Sequence, residues 1–191
     1  APISVQYPLV ELLNGLLALF LFLKFGLGLS FGILLLFCSA MVVVTFIDLE
    51  HQIIPDVITL PGIVAGFVFS ALLTPVGWLN SLSGIVAGGG VLLLVAYGYE
   101  LVARKEGMGG GDIKLLAMMG AFFGWKAIPF ILLVSSLAGS VIGITLMAVQ
   151  RKDSKLAIPF GPFLAIGAVL YIFFGRLIID WYLSLGRFPT P

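Results

Sequence analysis

Seven apolar runs separated by short polar linkers make up most of the chain. Backbone N–H and C=O groups in lipid must be satisfied within the protein, so we expect these runs to be helices. A helix needs about 20 apolar residues to cross the hydrocarbon core of a bilayer. The predicted spans are residues 9–23, 29–47, 57–73, 82–102, 112–125, 128–149 and 159–175. The pattern therefore predicts an all-α fold, a polytopic membrane helical bundle of about six to seven transmembrane helices, forming a single domain over residues 1–191.

Two segments depart from the simple pattern. The fifth run is short for a span and is bounded by Gly124, Trp125 and Pro129. We expect it to tilt, to reach only part way, or to continue into the sixth run. After residue 175, Arg176 and Asp180 lie four apart, a spacing at which they can pair on one helix face. Because aromatic rings and cations anchor helix ends at the interface, we expect this tail to rest there.

The composition agrees with a membrane location. Hydrophobic residues make up 61% of the chain and charged residues 10%, whereas soluble domains are about half apolar and about a quarter charged. The lipid bilayer is therefore a partner of this chain. No basic stretch indicates nucleic acid, and none is predicted as a partner. His51 lacks a second histidine or a cysteine ligand near it in the sequence, so we predict no metal site.

The charged linkers predict the orientation. In a seven-span topology, linkers 48–56, 103–111 and 150–158 share one side of the membrane. They hold Arg104, Lys105, Arg151, Lys152 and Lys155, against Lys24 and Lys126 in the opposite linkers. Since cytoplasmic loops carry an excess of Lys and Arg, the richer side is predicted to be cytoplasmic.

Two acids lie at the edges of predicted spans. Asp48 ends the second run, and Asp112 opens the fifth. Both fall on the predicted cytoplasmic side at similar depth, and acids in such places are functional hypotheses by default. Two carboxylates a few ångströms apart cannot both ionise, so they share one proton. The ionised partner can then activate a water and the protonated one can donate to a carbonyl oxygen, as an aspartic protease requires.

The residues before Asp112 are three glycines, Gly109, Gly110 and Gly111. Glycine permits close backbone approach and unusual dihedral angles. An extended substrate segment could therefore hydrogen-bond to this backbone, and the glycines could let Asp112 move relative to Asp48.

Structural explanations compete with these functional ones. Asp112 could simply cap its helix, since Asp is a preferred N-cap, and Asp48 could lie at the headgroup level without a function. For Asp56, which follows Pro55, an N-cap is the better explanation. Lys114 opposes the dipole of the helix that it begins, which predicts a partner such as a lipid phosphate or a carboxylate.

Three consecutive glycines also occur in the fourth run. Gly88, Gly89 and Gly90 are expected to allow tight helix packing.

Four ordered strings carry a family resemblance. They are EGMGGGDIKLLAMMGAFFGW at 106–125, FIDLEHQIIPDVITLP at 46–61, YPLVELL at 7–13 and IPFGPFLA at 158–165. The first contains the Gly-x-Gly-Asp motif of intramembrane aspartyl proteases, which alone is weak. Together the strings closely resemble the bacterial type IV prepilin leader peptidases over almost the whole chain.

The resemblance implies an activity and its residues. Asp48 and Asp112, 64 residues apart, match the catalytic aspartates of the family. The implied reaction removes the short basic leader of type IV prepilins or type II secretion pseudopilins, at the cytoplasmic face of the bacterial inner membrane. Glu50, Asp56 and Glu106 are candidates for attracting such a leader. Proteolysis needs no cofactor.

One family feature is missing from these 191 residues. Members usually carry an N-terminal segment with paired Cys-x-x-Cys motifs, so the chain is expected to be a truncated or naturally shortened member. Many members also methylate the new N-terminus. S-adenosylmethionine is therefore expected as a cofactor only if methyltransferase activity is retained.

Two alternative functions remain. Another Gly-x-Gly-Asp protease, similar to a preflagellin peptidase, should lack the strings at 7–13 and 158–165. A transporter or channel also uses intramembrane acids, but a transporter should show repeated halves, and the sequence has none.

Overall fold

The fold is an all-α membrane bundle in a computed structural model that describes residues 6–104, 109–150, 159–175, 177–179 and 181. The described residues contain helices and no β-strand. The helices are α1 (Gln6–Phe25), α2 (Leu29–His51), α3 (Asp56–Leu73), α4 (Gly77–Ala103), α5 (Gly110–Phe123), α6 (Ala127–Gln150) and α7 (Gly161–Leu170), which continues as a π-helical turn, Tyr171–Gly175. Five of these, α1 to α4 and α6, are long and apolar enough to cross a membrane.

Most helix ends differ from the sequence-based boundaries, and three of the differences matter for the arrangement of the bundle. Helix α2 continues to His51, so Asp48 lies inside a helix and not in a linker. Helix α4 begins at Gly77, five residues before the predicted start. Helix α5 ends at Phe123, where Gly124 adopts a φ of 79° and donates its N–H to the carbonyl of Gly120. Because of this left-handed turn, α5 does not continue into α6.

Helix α5 is the centre of the bundle. It packs against α3, α4, α6 and α7, and every residue from Leu115 to Phe122 is buried. Its 14 residues make a helix about 21 Å long at 1.5 Å per residue, shorter than the ~30 Å hydrocarbon core. Its apolar run is therefore explained by burial within protein and not by contact with lipid.

The buried end of α5 needs partners for its last carbonyl groups, which have none within the helix. The hydroxyl of Ser70 on α3 donates to the carbonyls of Ala121 and Phe122, both at 2.8 Å. The hydroxyl of Ser81 on α4 donates to Ala121 at 2.7 Å. Both serines are fully buried, and these bonds satisfy a helix end that water does not reach.

Glycines bring α4 and α5 into backbone contact. A Cβ on Gly84 would lie 2.8 Å from the carbonyl carbon of Gly120, and one on Gly88 would lie 2.5 Å from the carbonyl oxygen of Leu116. The tight packing predicted for three glycines is thus right for Gly88. It is wrong for Gly90, where a Cβ would meet nothing within 4 Å, because successive helix residues point in different directions.

Helix α7 lies between α2 and α6. The ammonium group of Lys24, in the last turn of α1, donates to the carbonyls of Ile172 and Phe173 at 2.7 and 2.6 Å. These carbonyls belong to the π-helical turn, so Lys24 joins α1 to the end of α7 that is remote from Asp48.

Several sequence-based predictions fall outside the described residues. They are the pairing of Arg176 with Asp180, most of the interfacial tail, the candidate Glu106, and the basic residues Lys105, Arg151, Lys152 and Lys155.

Candidate active site

Asp48 lies in the last turns of α2 and is 5% exposed. Its Oδ2 accepts a 2.9 Å hydrogen bond from the backbone N–H of Gly161, at the start of α7. Helix α2 ends one turn later, where Gln52 takes a left-handed φ of 55° and donates its N–H to the Asp48 carbonyl. Asp48 is therefore buried against a second helix and is not an exposed acid at the end of α2.

Asp112 lies in the first turn of α5 and does not cap it. The N-cap is Gly109, no side chain makes the cap bond, and the N–H of Asp112 itself bonds to the Gly109 carbonyl at 3.2 Å. Oδ1 of Asp112 is buried and has no hydrogen-bond partner among the described residues. A buried carboxyl oxygen without a partner is costly in a purely structural role.

One side chain connects the surroundings of the two acids. Ile54, 8% exposed, lies in the short connection between α2 and α3. A Cβ on Gly111 would be 2.8 Å from the Cβ of Ile54, and a Cβ on Gly161 would be 3.1 Å from its Cδ1. Gly111, the neighbour of Asp112, and Gly161, the hydrogen-bond donor to Asp48, therefore contact the same residue.

Asp56 makes an ion pair in place of the predicted cap. The N-cap of α3 is Pro55, and both carboxylate oxygens of Asp56 accept from the ammonium of Lys114, at 2.8 and 2.7 Å. The cap prediction is wrong because Asp56 is already the first helical residue, one position too late to cap. The carboxylate partner predicted for Lys114 is confirmed.

The other candidates lie at the same end of the bundle. Glu50 is exposed on the last turn of α2, and Gly109 and Gly110 are exposed at the start of α5. A Cβ on Gly110 would meet nothing within 4 Å, so this backbone is open to an extended segment. Gly111 instead packs on Ile54.

Gly161 and Ile54 are site residues that the sequence did not single out. Gly161 lies within IPFGPFLA, one of the four strings that resemble the family. That membership was the sign in the sequence that could have pointed to Gly161. Nothing local in the sequence indicates its contact with Asp48, which is 113 residues away.

Comparisons with known proteins give the following matches. A model of the type IV leader peptidase family matches residues 35–144. The prepilin leader peptidase/N-methyltransferase of Aeromonas hydrophila is 41% identical over 184 residues, which cover 96% of this chain and 63% of that protein. Proteins of the same name from Stutzerimonas stutzeri and Pseudomonas aeruginosa are 38% and 37% identical, over 98% of this chain and 65% of their own lengths. The chain thus spans slightly less than two thirds of these relatives, and no solved structure matches it.

Proposed function

This chain belongs to the type IV leader peptidase family, and from that premise we propose that it is a membrane-embedded aspartic endopeptidase whose catalytic pair is Asp48 and Asp112. The observation that carries the proposal is the meeting of α2, α5 and α7 at one end of the bundle. There Gly161 and Gly111, which contact or adjoin the two acids, pack on one isoleucine. The two acids come from separate helices whose ends meet there, and two carboxyl groups that share a proton must be brought together in this way.

The hydrogen bond at Asp48 supports a division of roles. The Gly161 N–H stabilises negative charge on Oδ2 of Asp48, so Asp48 acts as the base that deprotonates the attacking water. Asp112, whose Oδ1 has no hydrogen-bond partner among the described residues, holds the shared proton and donates it to the scissile carbonyl oxygen. After the tetrahedral intermediate forms, the proton on Asp48 passes to the leaving amine. As the C–N bond breaks, a hydroxyl of the intermediate returns a proton to Asp112, so the pair again holds one proton.

The substrate is proposed from the relatives' printed name, prepilin leader peptidase. A prepilin or type II pseudopilin would bring its leader to the exposed backbone of Gly109 and Gly110. Glu50, exposed at the same end of the bundle, would attract a basic leader, and Glu106 is proposed for the same role on the sequence alone. The charge of Asp56 is offset by Lys114, which weakens its claim as a leader-binding residue.

The location follows from the same family. We propose that the chain lies in the bacterial inner membrane with the Asp48 end facing the cytoplasm, because the seven-span topology predicted from the sequence puts the basic linkers on the same side as Asp48 and Asp112.

Methyl transfer is a reaction separate from proteolysis and needs its own cofactor site. S-adenosylmethionine carries a sulfonium, an amino acid group and an adenosine, and burying these needs polar partners. The cavity of about 460 Å³ between α2, α3 and α5 is lined by apolar side chains such as Phe37, Phe69 and Met118, so it does not fit this cofactor. No step of the proposed reaction uses it.

The test of the function is cleavage of a purified prepilin by the full chain in detergent, with the new N-terminus read by mass spectrometry. Release of the leader without S-adenosylmethionine is expected. An intact substrate after incubation with folded protein contradicts the proposal, and a methylated product in the presence of S-adenosylmethionine would show that the second activity is also retained.

A further inference from the structure

The ion pair of Asp56 and Lys114 joins the beginnings of two parallel helices. Contacts in register follow it down the α3–α5 interface: a Cβ on Gly62 would meet the Met118 side chain, and one on Gly66 would lie 2.5 Å from the Phe122 ring. The ammonium of Lys114 reaches both carboxylate oxygens of Asp56, at 2.8 and 2.7 Å. The pair therefore fixes the first turns of α3 and α5 side by side.

Each member of the pair is close along the chain to one candidate catalytic acid. Lys114 follows Asp112 by two residues in the same helical turn. Asp56 begins α3 directly after the connection 52–55, which leaves α2 one turn beyond Asp48. A link between Asp56 and Lys114 is thus also a link between the two helix ends that present the acids.

Besides this ion pair, the start of α5 is held among the described residues by apolar contacts, since Ile113 packs against the core. Gly109 and Gly110 have no side chains and are exposed, and a Cβ on Gly110 would find no neighbour within 4 Å. Gly111 contacts Ile54. Lys114 supplies the one ion pair that the described residues make.

The pair is poorly explained as a contribution to stability. The two side chains are 40% and 53% exposed, and ion pairs with that exposure contribute little to folding. Asp56 favours the dipole of α3, but Lys114 opposes the dipole of α5. A lysine at this position is unfavourable for α5 by itself, and its ion pair with Asp56 explains why it lies there.

We propose that the Asp56–Lys114 ion pair positions Asp112 against Asp48, so that both residues are positioning residues for the reaction. This inference rests on the function proposed above. Small displacements of reacting groups reduce rates strongly while substrate affinity is retained, so the loss of the pair should lower kcat and leave KM nearly unchanged.

The test measures kcat and KM for prepilin cleavage by the full chain in detergent, with Asp56→Asn, Lys114→Met and the double variant. Each single change is expected to lower kcat by about tenfold to a hundredfold, with KM within about twofold of wild type. The double variant should be no slower than the slower single one, because residues that act through one contact are not additive. Asp56→Glu, which keeps the charge, should recover much of the rate.

Matched controls are Glu100→Gln, an exposed acid near the end of α4, and Lys126→Met, an exposed lysine in the turn after α5. Both should cleave at the wild-type rate, and thermal unfolding should show that all variants are folded.

The outcomes separate this inference from the function itself. If Asp112→Asn is inactive while Asp56→Asn and Lys114→Met keep the wild-type kcat, the positioning role is overturned and the peptidase stands. A raised KM at unchanged kcat would instead place Asp56 in leader binding and also overturn the inference. If Asp112→Asn cleaves normally, the proposed function fails and the positioning role fails with it.

Discussion

The backbone N–H of Gly161 donates a 2.9 Å hydrogen bond to Oδ2 of Asp48, across 113 residues of chain. A side chain at position 161 would disturb this contact, because its Cβ would lie 2.6 Å from Oδ2 and 3.1 Å from Ile54 Cδ1. We expect Gly161→Ala to lower kcat for cleavage by at least about tenfold, since the acid must move away from its bond.

The matched control for that change is Gly90→Ala, where a Cβ meets nothing within 4 Å. It should leave cleavage at the wild-type rate. Full activity of Gly161→Ala would mean that the bond to Asp48 is not part of the working site.

The contact between Gly88 and the Leu116 carbonyl predicts a stability effect. In Gly88→Ala, the new methyl would lie 2.5 Å from that oxygen. Backbone atoms cannot move aside as a side chain can, so α4 and α5 must separate. Overpacking of this kind costs about 1–3 kcal/mol, measurable as a lower midpoint of unfolding in detergent. Gly90→Ala should be neutral or slightly stabilising, because alanine favours a helix over glycine, and equal midpoints for the two variants would contradict this packing.

The two serines at the buried end of α5 give a separate test. In Ser70→Ala, the carbonyl of Phe122 loses the 2.8 Å bond from that hydroxyl. We expect the free energy of unfolding to fall by about 0.5–1.5 kcal/mol, the usual range for such bonds. Ser83→Ala removes an exposed hydroxyl that bonds to Asn80 and should lower the free energy of unfolding by less. An equally large loss in Ser83→Ala would argue that the bonds to the buried carbonyls of α5 have no special weight.

A shared proton predicts the pH dependence of cleavage. The reaction needs one carboxylate and one carboxylic acid in the pair, so the rate should fall both when the second proton is gained and when the shared one is lost. A plot of kcat/KM against pH should therefore be bell-shaped. A rate that rises with pH until the protein unfolds would be evidence against a two-carboxyl mechanism.

The helices could be predicted from the sequence because long apolar runs allow few alternatives in a membrane. The ends of the helices were harder to predict. Helix α2 passes Asp48 and ends at a left-handed Gln52, a conformation for which glycine is the usual residue. Nothing in the local sequence therefore places the end there.

The site was predictable only in part. Asp48 and Asp112 stand out as acids beside apolar runs and as matches to a family motif. The bond from Gly161 and the pair of Asp56 with Lys114 join distant parts of the chain, and no local periodicity encodes such contacts. The unfavourable position of Lys114 on its helix was the one local sign that a partner was needed.

The central claim is that Asp48 and Asp112 act as one catalytic pair. The most direct measurement is the rate of leader release from a purified prepilin by Asp48→Asn and Asp112→Asn, each shown to be folded by its unfolding midpoint in detergent. Both variants should show no cleavage above the substrate-only background, because an amide can neither activate the water nor share the proton. Leader release by either folded variant at a rate near that of wild type would contradict the claim.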